Sequence, residues 1–137
     1  MNVRRISLAA LAATALLLRV APVAAHHSAA EAYDTTKQVE TQGTITKLLL
    51  KNPHSWVFLE ATDEKGQKIE WQVEMGAWSG MVQQGWTKEM LAAGTVVKVT
   101  GAPSRAPGSH GMSSAKFFKS DGSPLGPNRG QYEAANP

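Results

Sequence analysis

Ile69-Glu70-Trp71-Gln72-Val73-Glu74-Met75 alternates apolar and polar side chains without a break. A period of two puts Ile69, Trp71, Val73 and Met75 on one face and Glu70, Gln72 and Glu74 on the other. That is a strand with one face on a core and one in water. Just upstream, Asp63-Glu64-Lys65-Gly66 is a turn signal, and residues 55–61 carry Trp56, Val57, Phe58 and Leu59, apolar on both faces. The two runs predict a hairpin. Asn52-Pro53 marks the turn before it, and residues 38–50, rich in Thr, Val, Ile and Leu, read as a first strand. Val39 and Ile45 share one parity while Leu48 and Leu50 have the other. A bulge or bend is therefore expected at Gly43 or at Thr46-Lys47.

Downstream the period changes. Residues 77–84 and 87–93 predict two short helical pieces, ended by Gly85 and Gly94. Thr87 suits an N-cap and Glu89 a first helical turn. Residues 95–100 predict a fourth strand ending at Gly101, and residues 112–119 a fifth, after a Gly/Pro/Ser loop at 102–111. This order predicts an all-β fold with a short helical insertion, a small five-stranded OB-like Greek-key barrel. A sandwich-like open sheet is the second choice. The barrel domain covers 38–122, between a flexible N-terminal arm at 26–37 and a disordered C-terminal tail at 123–137. Trp71 and Trp56 are assigned to the core or its edge.

At the amino end, Arg4 and Arg5 precede an apolar run from Ile6 to Leu18, and Val23 and Ala25 occupy the −3 and −1 positions of a signal-peptidase site. The run is too short for a membrane span, and Arg19 interrupts it further. Residues 1–25 are read as a Sec-type signal peptide, giving a periplasmic or secreted protein of 112 residues, with no stable membrane span after processing. Fourteen Lys and Arg, less the three in the leader, leave eleven against eleven Asp and Glu. The pI near 9.3 is thus largely a property of the leader. A mature chain without surplus positive charge is a poor match to nucleic acid. With no cysteine in the chain, disulfides, thiolate metal sites and a Cys nucleophile are all excluded.

Several motifs together carry a family resemblance. His26-His27-Ser28, Tyr33-Asp34, Gly43-Thr44-Ile45-Thr46, Asn52-Pro53-His54, Asp63-Glu64-Lys65-Gly66, Trp71, Gly85-Trp86-Thr87 and the Gly94, Val97, Val99, Gly101 strand occur in order. Over residues 26–122 the chain resembles the exported bacterial proteins grouped as domain-of-unknown-function family 6152. The resemblance implies a small secreted OB-like domain and supplies no activity. Members often carry Lys-Pro-Gly-Asp before the fourth strand, where this chain has Ala92-Ala93-Gly94-Thr95.

The four histidines are His26, His27, His54 and His110, none inside a predicted strand. Cleavage after Ala25 would let the His26 amine and imidazole chelate one ion, with His54 or His110 completing a three-nitrogen set suited to Cu(II). Cleavage one residue earlier would put a histidine third from the amine, a Cu(II) or Ni(II) arrangement. A copper-dependent oxidase would use the same terminus and would need an open coordination position. Against these stands a terminal His pair that binds metal only adventitiously. His54, after Asn52-Pro53, is expected mainly to hydrogen-bond a loop carbonyl and fix the turn. His110, among Gly and Ser, reads as a solvated loop residue.

Trp78 and Trp86 flank the helical insertion; core packing is the preferred reading for both, and one of them is the candidate for an exposed stacking surface for a sugar or aromatic ligand. Glu70 and Glu74 are expected to pair with Lys98 or Lys47 across strands. No Gly-x-Ser-x-Gly, phosphate-cradling loop or His-Glu-x-x-His is present. Ser55 and His54, as neighbours on a strand, would point to opposite faces. The expected function is therefore a non-catalytic binding or accessory module for a small ligand or an extracytoplasmic protein. The alternative is a periplasmic copper or nickel binder.

Overall fold

The computed structural model describes residues 29–127. A helical turn α1 (Ala29–Ala32) precedes β1 (Val39–Leu49), β2 (Ser55–Thr62), β3 (Lys68–Met75), helix α2 (Trp78–Gln83), β4 (Val96–Pro103) and β5 (Gly111–Lys119). The strands close into a barrel in the order β1-β2-β3-β5-β4, with β1 hydrogen-bonded to β4. All pairings are antiparallel except β3 with β5, which meet only at Gln72–Gly111 and Val73–Met112. This is the expected five-stranded closed barrel with its insertion between β3 and β4.

Closure depends on one bent strand. The first half of β1 pairs with β4 and the second half with β2, the two ladders overlapping at Gly43 and Thr44. A side chain at Gly43 would place Cβ 2.5 Å from the Glu60 carbonyl oxygen, so the strands approach there as only glycine allows. The register then shifts between Ile45 and Lys47, at one of the two places the apolar parity predicts. A second shift falls between Thr100 and Ala102, opposite Ser114, whose φ is +52°. Beside it, a Cβ on Gly101 would lie 2.6 Å from the Ser113 carbonyl oxygen.

Inside, Ile45, Val57, Leu59, Val73, Val97, Val99, Met112 and Phe117 fill the barrel. Met81 of α2, Trp86 and Leu91 complete the same cluster. Trp86 is 1% exposed and stands edge-on to Phe117, with ring centroids 5.7 Å apart. Trp71 is only partly buried and packs against this cluster from its edge.

Three expectations are corrected. Residues 87–93 form turns rather than a second helical piece. The Leu91 and Ala92 amides bond three residues back, to Lys88 and Glu89, while the Gly94 amide is drawn to the Ile45 carbonyl. Thr87 does offer Oγ to the Met90 amide at 3.4 Å, but no helix follows. The arm, expected to be loose, is docked over its described part. Tyr33 is 7% exposed and bridges Ser104, the Asp34 amide donates to the Pro103 carbonyl, and the Arg105 amide donates to the Ala32 carbonyl. The start of the expected tail is likewise seated. Leu125 is 8% exposed, its amide donates to the Phe117 carbonyl, and Gly126 lies against the Trp86 ring. In both segments an apolar side chain finds a place on the barrel, which composition alone does not reveal.

Candidate functional site

The turn between β1 and β2 is tightly built. Ser55 is fully buried, and its hydroxyl bonds both the amide and the carbonyl of Lys51. The Lys51 carbonyl also accepts the Trp78 amide, and the Asn52 side-chain oxygen accepts the amide and hydroxyl of Ser79. Helix α2 thereby fastens the loop that carries His54.

From that loop the His54 ring reaches Glu74, with Nδ1 2.9 Å from Oε1. The other carboxylate oxygen accepts the Tyr33 hydroxyl at 2.6 Å. Glu74 therefore binds a side chain from the docked arm and one from the β1–β2 loop, and its own side chain is 20% exposed against 58% for His54. Trp56 lies directly across from Glu74 on β2. Burying most of a carboxylate is tolerable only when both oxygens are hydrogen-bonded, as they are here.

The arm is secured by a second group. The Arg105 guanidinium Nε donates to the carbonyls of Ala30 and Tyr33, and Nη2 lies 3.5 Å from an Asp34 oxygen. Hydrogen bonds from Thr36 hold the Asp34 carboxyl below the ordinary aspartate range, helped by Lys37 and the charge of Arg105 and opposed by desolvation.

His110, at the end of the β4–β5 loop, is exposed, and its ring tilts against Trp71 at a centroid distance of 5.3 Å. Its carbonyl accepts the Gln72 amide. Trp71 keeps its indole N–H buried with no protein partner. The two histidines thus reach β3 through neighbouring loops but contact residues of opposite parity, Glu74 on the outer face and Trp71 on the core side.

His26 and His27 lie outside the described residues. Among the described residues, no three His, Asp or Glu side chains gather into a group able to hold a metal by themselves. His54 bonds a carboxylate rather than the loop carbonyl expected of it. The expected pairing of Glu74 with Lys98 or Lys47 is replaced, because Lys98 bonds Glu40 and the Lys47 ammonium sits over the Phe58 ring. Trp86 is sealed in the core and offers no stacking face, while Trp78 is half-buried against the same cluster. An open groove of about 360 Å³ at the far end of β2, lined by Gln42, Thr44, Glu60, Thr62 and Val96, brings no further histidine.

Tyr33 and the role of Glu74 escape a reading of local pattern. The hairpin register carries part of the signal: a turn joining Thr62 to Lys68 implies that Trp56 faces Glu74, next to His54. Nothing comparable announces Tyr33, which is 41 residues from its partner.

The family model described as "Family of unknown function (DUF6152)" matches residues 14–114. The chain belongs to that family. The matched span includes Tyr33, His54, Glu74, Trp71 and His110, so the whole network lies in the part shared with the family model. No curated protein and no solved structure matches the chain.

Proposed function

We propose that this member of the family is an exported, non-catalytic binding module. Its recognition face is the part of the barrel where the β1–β2 loop, the β4–β5 loop and the docked arm meet β3. The observation that carries the reading is that Glu74 of β3 holds both Tyr33 of the docked arm and His54 of the β1–β2 loop, while His110 of the β4–β5 loop meets the same strand at Trp71. OB-type barrels bind ligands on the face of strands two and three, between these two loops. The balanced mature charge speaks for a small ligand or an extracytoplasmic protein rather than nucleic acid. The absence of a Cys nucleophile or a hydrolase motif supports a module without chemistry of its own.

Native mass spectrometry of the protein recovered from the periplasm tests this directly. The chain should begin at His26 and carry an added mass that a His54→Ala, Trp71→Ala double variant loses. Full-length chain in the membrane fraction would refute the export reading, and an identical adduct on the double variant would refute the assigned face.

A second reading, a copper or nickel binder built on the processed terminus, is favoured by one specific feature. His54 turns Nδ1 to a carboxylate and leaves its other ring nitrogen uncommitted to that carboxylate.

A further inference from the structure

We infer that the outer face of β2 and β3, continued by the groove at the far end of β2, binds a neutral linear oligosaccharide. The inference rests on the binding-module reading above and adds to it the ligand class and the side chains that hold it. Along β2 the buried residues are Ser55, Val57, Leu59 and Ala61, so Trp56 and Phe58 point outward with Glu60 and Thr62. Both rings are half-buried, and neither belongs to the core cluster or to the apolar side chains packed against it. The Lys47 ammonium stands over the Phe58 ring, 5.3 Å from its centroid, so that ring turns a face to the outer side. Lys47 is itself exposed, a cover that a ligand displaces. Two residues apart on one strand, Trp56 and Phe58 have their Cα atoms about 7 Å apart, so the rings form a row.

Beside this row the chemistry suits hydroxyl recognition. Across the β2–β3 ladder Trp56 faces Glu74, Phe58 faces Gln72 and Glu60 faces Glu70. Gln72 and Glu70 are exposed, and among the described residues nothing bonds the side chain of either. An amide offers donors and acceptors and a carboxylate two acceptor oxygens. A sugar ring matches that set, with a flat C–H face for stacking and hydroxyls around its edge. From Phe58 the same face runs into the groove of about 360 Å³ lined by Gln42, Thr44, Glu60, Thr62 and Val96. Its polar liners are again an amide, hydroxyls and one carboxylate, and its size is that of a small-molecule site. From Trp56 to Thr62 β2 runs roughly 20 Å, room for several sugar rings in line.

The charge on this face argues against other occupants. Outward from β2 and β3 stand Glu60, Glu70 and Glu74 against Lys68, a balance that repels polyanions. Two of those carboxylates are already bonded, Glu60 to Lys68 at 2.8 Å and Glu74 to His54 and Tyr33, so little charge remains to draw a cation. A stable protein interface buries about 800 Å² per partner around an apolar centre. Here the apolar surface is a row of two rings bordered by charged and amide side chains.

The test titrates the purified protein with cellohexaose, maltohexaose and N-acetylchitohexaose by calorimetry and nitrogen-15 NMR. At least one should bind and shift the Trp56 indole resonance. Trp56→Ala should weaken that binding at least about tenfold, the loss expected at a central aromatic contact, and Phe58→Ala by a similar factor. Gln72→Ala should weaken it about fivefold, as loss of one neutral hydrogen bond does. Val82→Ala, which trims exposed apolar surface on α2 instead, should leave the affinity unchanged. Affinity should also be the same at low and high salt, because the ligand carries no charge. If Trp56→Ala lacks a cooperative melting transition, Phe58→Ala and Gln72→Ala carry the same comparison.

Failure of all three sugars to bind would overturn the oligosaccharide assignment. An adduct that the His54→Ala, Trp71→Ala double variant loses would then leave the module reading standing, and an adduct unchanged in that variant would remove both. A sugar held as tightly by Trp56→Ala and Phe58→Ala as by the wild type would overturn the aromatic row as its site. Steep weakening with salt would overturn the neutral ligand.

Discussion

Trp86→Ala should be the most damaging single tryptophan substitution in this protein. Its indole is fully buried in the core, edge-on to Phe117. Truncation of such a residue costs about 3–5 kcal/mol, combining lost transfer free energy with the cavity left behind. The upper half of that range applies, because the loss also removes the surface on which Gly126 and the chain beside it are seated. Trp71 presents the opposite case, partly buried and bordered by exposed His110, so Trp71→Ala should cost about half as much, roughly 2 kcal/mol.

A third substitution separates volume from polarity. The Trp86 indole N–H is buried without a protein partner, a penalty of about 1–3 kcal/mol that phenylalanine does not incur. Trp86→Phe should therefore be far milder than Trp86→Ala. Urea unfolding followed by far-ultraviolet circular dichroism measures all three, provided the m-values agree. In a domain this size each kcal/mol lowers Tm by roughly 4–8 °C, so the alanine variants, about 2–3 kcal/mol apart, should differ by roughly 8–24 °C. A Trp71→Ala variant as unstable as Trp86→Ala would refute the core assignment. Equal losses in Trp86→Phe and Trp86→Ala would refute the argument about the orphan N–H.

Gly101→Ala should destabilise by about 1–3 kcal/mol, because its Cβ would meet the Ser113 backbone oxygen at 2.6 Å and backbone cannot rotate away; an unchanged melting temperature would contradict that close approach. Tyr33→Phe keeps the buried ring and removes the bond to Glu74, so hydrogen exchange at the Asp34 and Arg105 amides should quicken while that of β2 stays unchanged. Asp34 has its carboxyl lowered in the folded protein, so its contribution to arm docking is present above the ordinary aspartate value of about 3.9 and is lost as pH falls below it. Exchange at those two amides should therefore accelerate on acidification, after correction for intrinsic rates, and the acceleration should be absent in Asp34→Asn.

The alternation from Ile69 to Met75 and the turns at Asn52-Pro53 and Asp63–Gly66 were enough to define the hairpin, because period and turn chemistry are local properties. The parity conflict in the first strand likewise announced the irregularity found at Thr46, since one extra residue reverses every later side chain. Strand count and the position of the insertion then led to the barrel. Depth was another matter. The cleanest alternation points to Trp71 as the core indole, yet Trp86, from an irregular segment, is the one fully buried, and Trp71 is only partly so.

The helix signal at 87–93 lost to tertiary demand, because the Gly94 amide bonds the Ile45 carbonyl of the neighbouring strand β1. The candidate site depended on the same long-range order. His54 could be placed at a loop from sequence, but its bond to Glu74 follows from strand register, and the grip of Tyr33 on Glu74 from an arm whose composition suggests only solvent. Local patterns determine which residues can form strands and turns. Only closure of the barrel decides which distant side chains satisfy one another, because a half-buried carboxylate takes its partners from whatever the fold brings within hydrogen-bond reach.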